Sequence, residues 1–247
     1  MAHEATLSSL IPVSAMIALA FLAGCSGTGQ PEVDYQAFAV PASPAAVSAG
    51  EWTVTLDEAT VAFGPAYFCA ASSGSATLCE TAVSELRGVA AFDGLGGPQL
   101  LGDAQGFAGH VRSASYDYGV SWLLTESSPR ASSAAPGGRS ARLAGSATRD
   151  AETIRFVAEI EVLAQYQGQR AVPTTPVVAD LDTNVKRLDI GFDPGAWLTG
   201  VDWGDVAAIS SDDPRVIEPG TPAHNAIVIA MVATHPPTFT WSGAAAP

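Results

Sequence analysis

Lysine is nearly missing from this chain: Lys186 is the only one in 247 residues, and the other ten basic residues are arginines. Basic charge is scarce altogether, with 11 Lys and Arg set against 25 Asp and Glu, for a formal charge of −14. A surface of that sign repels nucleic acid and anionic headgroups, so nucleic acid is excluded as a partner. The signatures of common chemistries are missing too. No H-E-x-x-H, phosphate-binding glycine loop or dinucleotide fingerprint occurs. The strings nearest to the G-x-S-x-G of a serine hydrolase, "GVSWL" from Gly119 and "GRSAR" from Gly138, do not match it. No repeat of fixed period is present, which removes propellers and solenoids. Beyond residue 22 the longest apolar run is the eight residues "AIVIAMVA", Ala226 to Ala233. A spanning helix needs about 20, and eight suit a strand covered on both faces.

What is there begins at the N-terminus. Leu10 to Leu22 reads "LIPVSAMIALAFL", thirteen uncharged residues. That is short for a membrane span and right for the apolar region of a signal peptide. The nine residues before it hold no Lys or Arg, where such a segment ordinarily opens on positive charge. The run ends in "LAGC", Leu22 to Cys25, which resembles the lipobox of bacterial lipoproteins. The resemblance covers about the first 27 residues. It implies that Cys25 is lipidated, that residues 1–24 are removed, and that the mature chain is held to a membrane. Ser26, where an Asp would retain an enterobacterial lipoprotein in the inner membrane, implies an outer-membrane address. One acidic residue, Glu4, and no basic one precede Cys25, so the mature chain carries −13.

Two further cysteines, Cys69 and Cys79, flank the Gly/Ser-rich stretch in "YFCAASSGSATLCE". Their offset is neither a C-x-x-C redox pair nor a zinc spacing. In an oxidising compartment they read as a disulfide closing a short loop. Residues 25–50 hold three prolines, many small residues and no regular period. They read as a flexible, lipid-anchored tether, with packing of Tyr35, Phe38 and Val40 as an edge strand the alternative.

From residue 51 onward the pattern has period two, the signature of strands. Trp52, Val54 and Leu56 share a face; after Glu58 the parity changes to Ala59, Val61 and Phe63, as a β-bulge requires. Residues 112–122 alternate Ala114, Tyr116, Tyr118, Val120 and Trp122 with Ser113, Ser115, Asp117 and Ser121, a half-buried strand. Ile154, Phe156, Ala158 and Ile160 mark another strand, as do Leu188, Ile190 and Phe192, and "TFTW" from Thr238 a last short one. Only residues 80–89, "ETAVSELRGV", suit a helix. Residues 127–140 read as a mobile loop. The fold class expected is all-β: an antiparallel β-sandwich of about eight to ten strands over 51–247, with a short helix near 80–89. Two small β domains divided near 127–140 are the alternative.

Candidate chemistry is thin. Imidazole suits zinc and copper, and His110, His224 and His235 follow the leader without the short local spacing of a metal motif. Asp180, Asp182 and Asn184 alternate as an EF-hand loop begins, but Val185 stands where that loop needs Gly and Gly191 where it needs Glu. A hydrolase would draw on His110 with Asp117 or Asp103. Trp52 and Trp122 read as core; Trp197 and Trp203 read as a loop folded inward, or as exposed rings for a glycan or protein partner.

The reading that results is an outer-membrane or surface lipoprotein whose non-catalytic β-sandwich serves binding or envelope structure. Its expected partners are the membrane, through the lipid anchor, and an envelope protein or glycan. No cofactor is expected; a lipoprotein that handles a divalent metal and a hydrolase with an unrecognised site are the alternatives. Cys25→Ala is expected to move the protein from the membrane fraction to the soluble one. If that variant still partitions into detergent with the membranes, the lipobox reading fails.

Overall fold

Alternating residues become strands where each face finds its own environment. In β3 (Trp52–Phe63), Trp52 and Val54 are buried, and so are Ala59, Val61 and Phe63. The parity changes because Asp57 is an extra residue. Leu56 stands opposite Gly145 and Glu58 opposite Ala144 of β11 (Ala141–Arg149), leaving Asp57 unopposed. The bulge brings the two backbones together: a Cβ on Gly145 would lie 2.1 Å from the Thr55 carbonyl oxygen, so only glycine fits.

The computed structural model describes residues 29–43, 46–72, 82–209 and 213–243. The expected signal peptide over residues 1–24, Cys25 and Cys79 lie outside the described residues. Among the described residues sixteen strands, against the eight to ten expected, form two main sheets and one small ribbon, because several are only two to five residues long. The larger sheet runs β13 (Val172–Leu181), β8 (Gly109–Tyr116), β4 (Ala66–Cys69), β5 (Ala82–Leu86), β7 (Gln99–Phe107), β1 (Glu32–Pro41), β14 (Arg187–Phe192), β16 (Thr238–Ser242). The second runs β15 (Arg215–Ile217), β12 (Glu152–Ile160), β11, β3, β2 (Val47–Ala49), with β6 (Ala90–Asp93) also paired to β3. A two-stranded ribbon joins β9 (Val120–Ser121) to β10 (Arg130–Ala131). The fold is all-β and sandwich-like, as expected, but the sheets are mixed: β1 with β14 and β12 with β15 pair parallel.

Several expectations need correction. Residues 82–86 are strand, not helix, with Ser84 and Leu86 buried. A two-turn helix has little stability of its own, while a strand here joins β4 to β7. The tether ends early. β1 occupies residues 32–41 between β7 and β14, with Val33, Tyr35, Ala37 and Ala39 buried, so it is an interior strand, and Phe38 and Val40 face the other way from Tyr35. The apolar run near residue 230 is helical: α2 (Pro222–Ile229) continues as a π-helical turn over Ala230–Thr234. Thr221 caps it by accepting from the His224 N–H at 3.2 Å, with Pro222 at the first position. Its buried residues, Ala223, Ile227, Ala230 and Met231, have helical spacing. A shorter helix, α1 (Trp203–Ala208), is capped by Asp202. The strand expected over residues 112–122 breaks after Tyr116, and its polar face is also buried at Ser113, Ser115 and Asp117. Residues 127–140 hold β10, a 3₁₀ turn at Pro136–Gly138 and the buried Ala135 and Ser140, and core residues before and after them join one cluster.

Phe63 links the sheets. From β3 it meets Tyr116 at 5.3 Å, Tyr118 at 5.8 Å and Phe192 at 5.2 Å between ring centroids. The larger sheet also rolls upon itself: Phe239 and Trp241 on its edge strand β16 reach Phe68 of β4 at 5.5 and 5.0 Å. Phe63→Ala is expected to destabilise by about 3–5 kcal/mol in urea unfolding. Val178→Ala, at a side chain 92% exposed, should change stability by no more than about 0.5 kcal/mol.

Candidate functional site

The larger sheet has two ends. At one, Glu32 pairs with Phe107 and Gly109 with Leu181; at the other, Tyr116 pairs with Val172. The candidate residues divide between these ends and the helices. His110 on β8 faces Asp180 on β13 at the first end, and the two exposed side chains hydrogen-bond. Asp182 and Asn184 shape the turn after β13, the Asp182 carboxylate accepting from the Asn184 N–H at 2.8 Å. His224 is buried on α2, where Nε2 accepts from the Glu161 N–H at 3.1 Å. Its Nδ1 lies 3.3 Å from Asn225 Oδ1 and 3.4 Å from the Gly220 nitrogen. His235 follows the π-helical turn, with its carbonyl accepting from Trp197 Nε1 at 3.1 Å. The three histidines therefore sit on different elements: the His110 and His224 rings are hydrogen-bonded to separate partners, and His235 bonds through its backbone. Among the described residues no three His, Cys, Asp or Glu gather as a metal site. His110 takes neither Asp117 nor Asp103 as partner.

Asp117 is instead the centre of a buried network. It follows β8 directly and is wholly shielded from solvent. Its carboxylate accepts from the Ser121 hydroxyl at 2.6 Å, from the Ala171 N–H at 2.7 Å and from the Arg170 guanidinium. Arg170 is also buried and lies over the Tyr67 ring, 5.3 Å from its centroid. Burial lifts the Asp117 carboxyl above its ordinary range; Arg170, Ser121 and the Ala171 N–H pull it back only in part.

Above this network, at the second end, two turns pack against each other. In the first, residues 122–126, the Glu126 N–H donates to the Leu123 carbonyl and Trp122 Nε1 to the Glu126 carbonyl, both at 3.0 Å. The second, residues 163–168, is pinned to it. The Gly168 N–H donates to the Trp122 carbonyl at 2.7 Å, and Gln167 Nε2 to the carbonyls of Leu124 at 2.8 Å and Glu126 at 2.7 Å. Gly168 adopts a positive φ of 78°, and a Cβ there would stand 2.4 Å from a Leu124 methyl. The result is an apolar tip: Leu124 is 70% exposed, Tyr166 58% and Leu123 45%.

No protein-family model, curated protein or solved structure matches this chain.

The tip must therefore be read from its own chemistry. Large apolar side chains on rigid, hydrogen-bonded turns at a molecule's end suit contact with another apolar surface. The sequence reading missed it by assigning Trp122 to the core; the ring is half-buried and belongs to the turn. The signal was "WLL", three large apolar residues in succession, which no two-faced strand can point inward together. Trp197 and Trp203 are fully covered, with Trp203 packed 4.6 Å from Phe156, so they offer no exposed rings.

Because the folded state raises the Asp117 pKa, it binds that proton more tightly than the unfolded chain does. The stability this group contributes is complete below its unfolded pKa, about 3.9, and is lost as pH rises through the folded value. Wild type should therefore lose stability relative to Asp117→Asn between pH 4 and neutrality in denaturant titrations. A gain in wild-type stability relative to Asp117→Asn as pH rises would contradict the assignment.

Proposed function

We propose that this protein is an exported lipoprotein of the cell envelope, anchored at Cys25, whose β-sandwich acts by binding and not by catalysis. The observation that carries the reading is the tip: Leu123, Leu124 and Tyr166 are exposed on turns that Trp122, Leu123, Leu124, Glu126, Gln167 and Gly168 hold in place by hydrogen bonds or close packing. Its position supports the same reading. The tip lies at the sheet end opposite the start of β1, where the chain from Cys25 joins the sandwich. A chain tethered ahead of β1 therefore leaves the tip clear of its point of attachment to the sandwich. Its occupant is an envelope protein with an apolar surface; a glycan would want flat rings bordered by polar groups, and two of the three exposed tip side chains are leucines.

The disulfide belongs to this proposal. Cys69 ends β4, Cys79 precedes β5, and the two strands are antiparallel neighbours with Cys69 opposite Ala82. A bridge between the two cysteines closes the intervening loop and stabilises by about 2–3 kcal/mol on the chain-entropy model. It fits an oxidising compartment beyond the inner membrane.

The tip is tested with a photo-crosslinking residue at position 123 in intact envelopes. The expected result is a discrete protein adduct that Leu124→Asp/Tyr166→Ser abolishes. The same double variant should melt within about 2 °C of wild type, because exposed substitutions cost little. An adduct pattern indifferent to the double variant would overturn the reading.

A further inference from the structure

The two turns of the tip come from distant parts of the chain: Gln167 reaches back 43 residues to Leu124 and 41 to Glu126. Those bonds are exposed, and water competes with them, so each holds the turns only weakly. Something less exposed must set how the turns meet. Beneath them, the Asp117 carboxylate touches the stems of both. Ser121, on its first side, is the residue before Trp122; Arg170 and Ala171, on its second, follow Gly168 by two and three residues.

We infer that Asp117 is the positioning residue of the tip, a buried clamp that fixes the turn bearing Leu123 and Leu124 against the turn bearing Tyr166. The chemistry of the position is demanding. One group must accept from a hydroxyl, a backbone N–H and a guanidinium together, and a carboxylate has the lone pairs for all three. An Asn would turn an NH₂ toward at least one donor. The carboxylate must also offset a guanidinium that water cannot reach, whose Nε has no partner among the described residues. This fixed geometry, not net stability, is what the pair supplies. Burial of the pair is itself costly, and two apolar side chains of similar volume would fill the space as well or better. The inference rests on the tip being the binding surface, but its geometry is measurable without any partner.

Asp117→Leu/Arg170→Met removes both charges together, so neither is left buried alone. The expected outcome is a melting temperature within a few degrees of wild type, with exchange protection of the Gly168 amide and the Trp122 indole N–H reduced at least tenfold. Arg170→Lys, which keeps a cation beside the carboxylate, should restore part of that protection. Should the double variant fail to fold, Ser121→Ala cuts only the first limb. It should lower protection of the Trp122 indole at least threefold while leaving that of the β3 amides unchanged. Protection within twofold of wild type in either variant would overturn the clamp and assign the tip's geometry to packing alone. Lost protection with an undiminished tip adduct would leave the clamp standing and reject the tip as the binding surface.

Discussion

The contact of Phe63 with Tyr116, Tyr118 and Phe192 sets the rest of the molecule, because it fixes which way the chain faces as it leaves β8. Tyr116 and Tyr118 both point into the space between the sheets, and the Tyr118 hydroxyl donates to the Met231 carbonyl at 3.0 Å, tying the π-helical turn to the same core. The residue between them is then committed to the opposite face. That residue is Asp117. Elsewhere in a sandwich the outer face meets water, but here the segment carrying Arg170 and Ala171 crosses it. The carboxylate is buried as a consequence of the two rings beside it, and Arg170 follows as its counter-charge.

A buried ion pair of this kind is a poor way to gain stability. The folded chain holds the Asp117 proton more tightly than the unfolded chain, which means that desolvation outweighs the help given by Arg170. What such a pair offers is direction: a guanidinium, a hydroxyl and an amide each approach the carboxylate along a defined line, whereas apolar packing tolerates sliding. In the proposed reading that direction is used a few residues away, where leucines and a tyrosine stand in solvent on turns that do not collapse over them. Exposed apolar side chains on loose turns would bury themselves against the sandwich.

The two ends of the larger sheet differ in kind. The end where β1 begins holds the exposed His110–Asp180 pair and the Asp182 turn, polar features satisfied by near neighbours. The other end holds the apolar tip. In an acidic chain of −14, the charge of Glu126 at the tip is offset by Arg130 beside it at 3.7 Å.

Local pattern by itself determined much of this protein. The alternation in β3, β12, β14 and β16, the parity change that became the bulge at Asp57, and the all-β class were legible because a strand's faces are set two residues at a time. So was the inward folding of Trp197 and Trp203. What failed was every question whose answer lies with a neighbour. Residues 82–86 became strand because β4 and β7 needed one between them, and residues 32–41 became an interior strand because β7 and β14 flank them. Residues 222–234 became helical with the Thr221–Pro222 cap in plain view, but an apolar run buried on most sides has no readable period. The site was least legible of all. Asp117 looked like the solvent face of a strand until Arg170, 53 residues later, covered it. A sequence shows which residues alternate; only the tertiary structure decides which face is left to water, because that depends on segments whose contact no local spacing encodes.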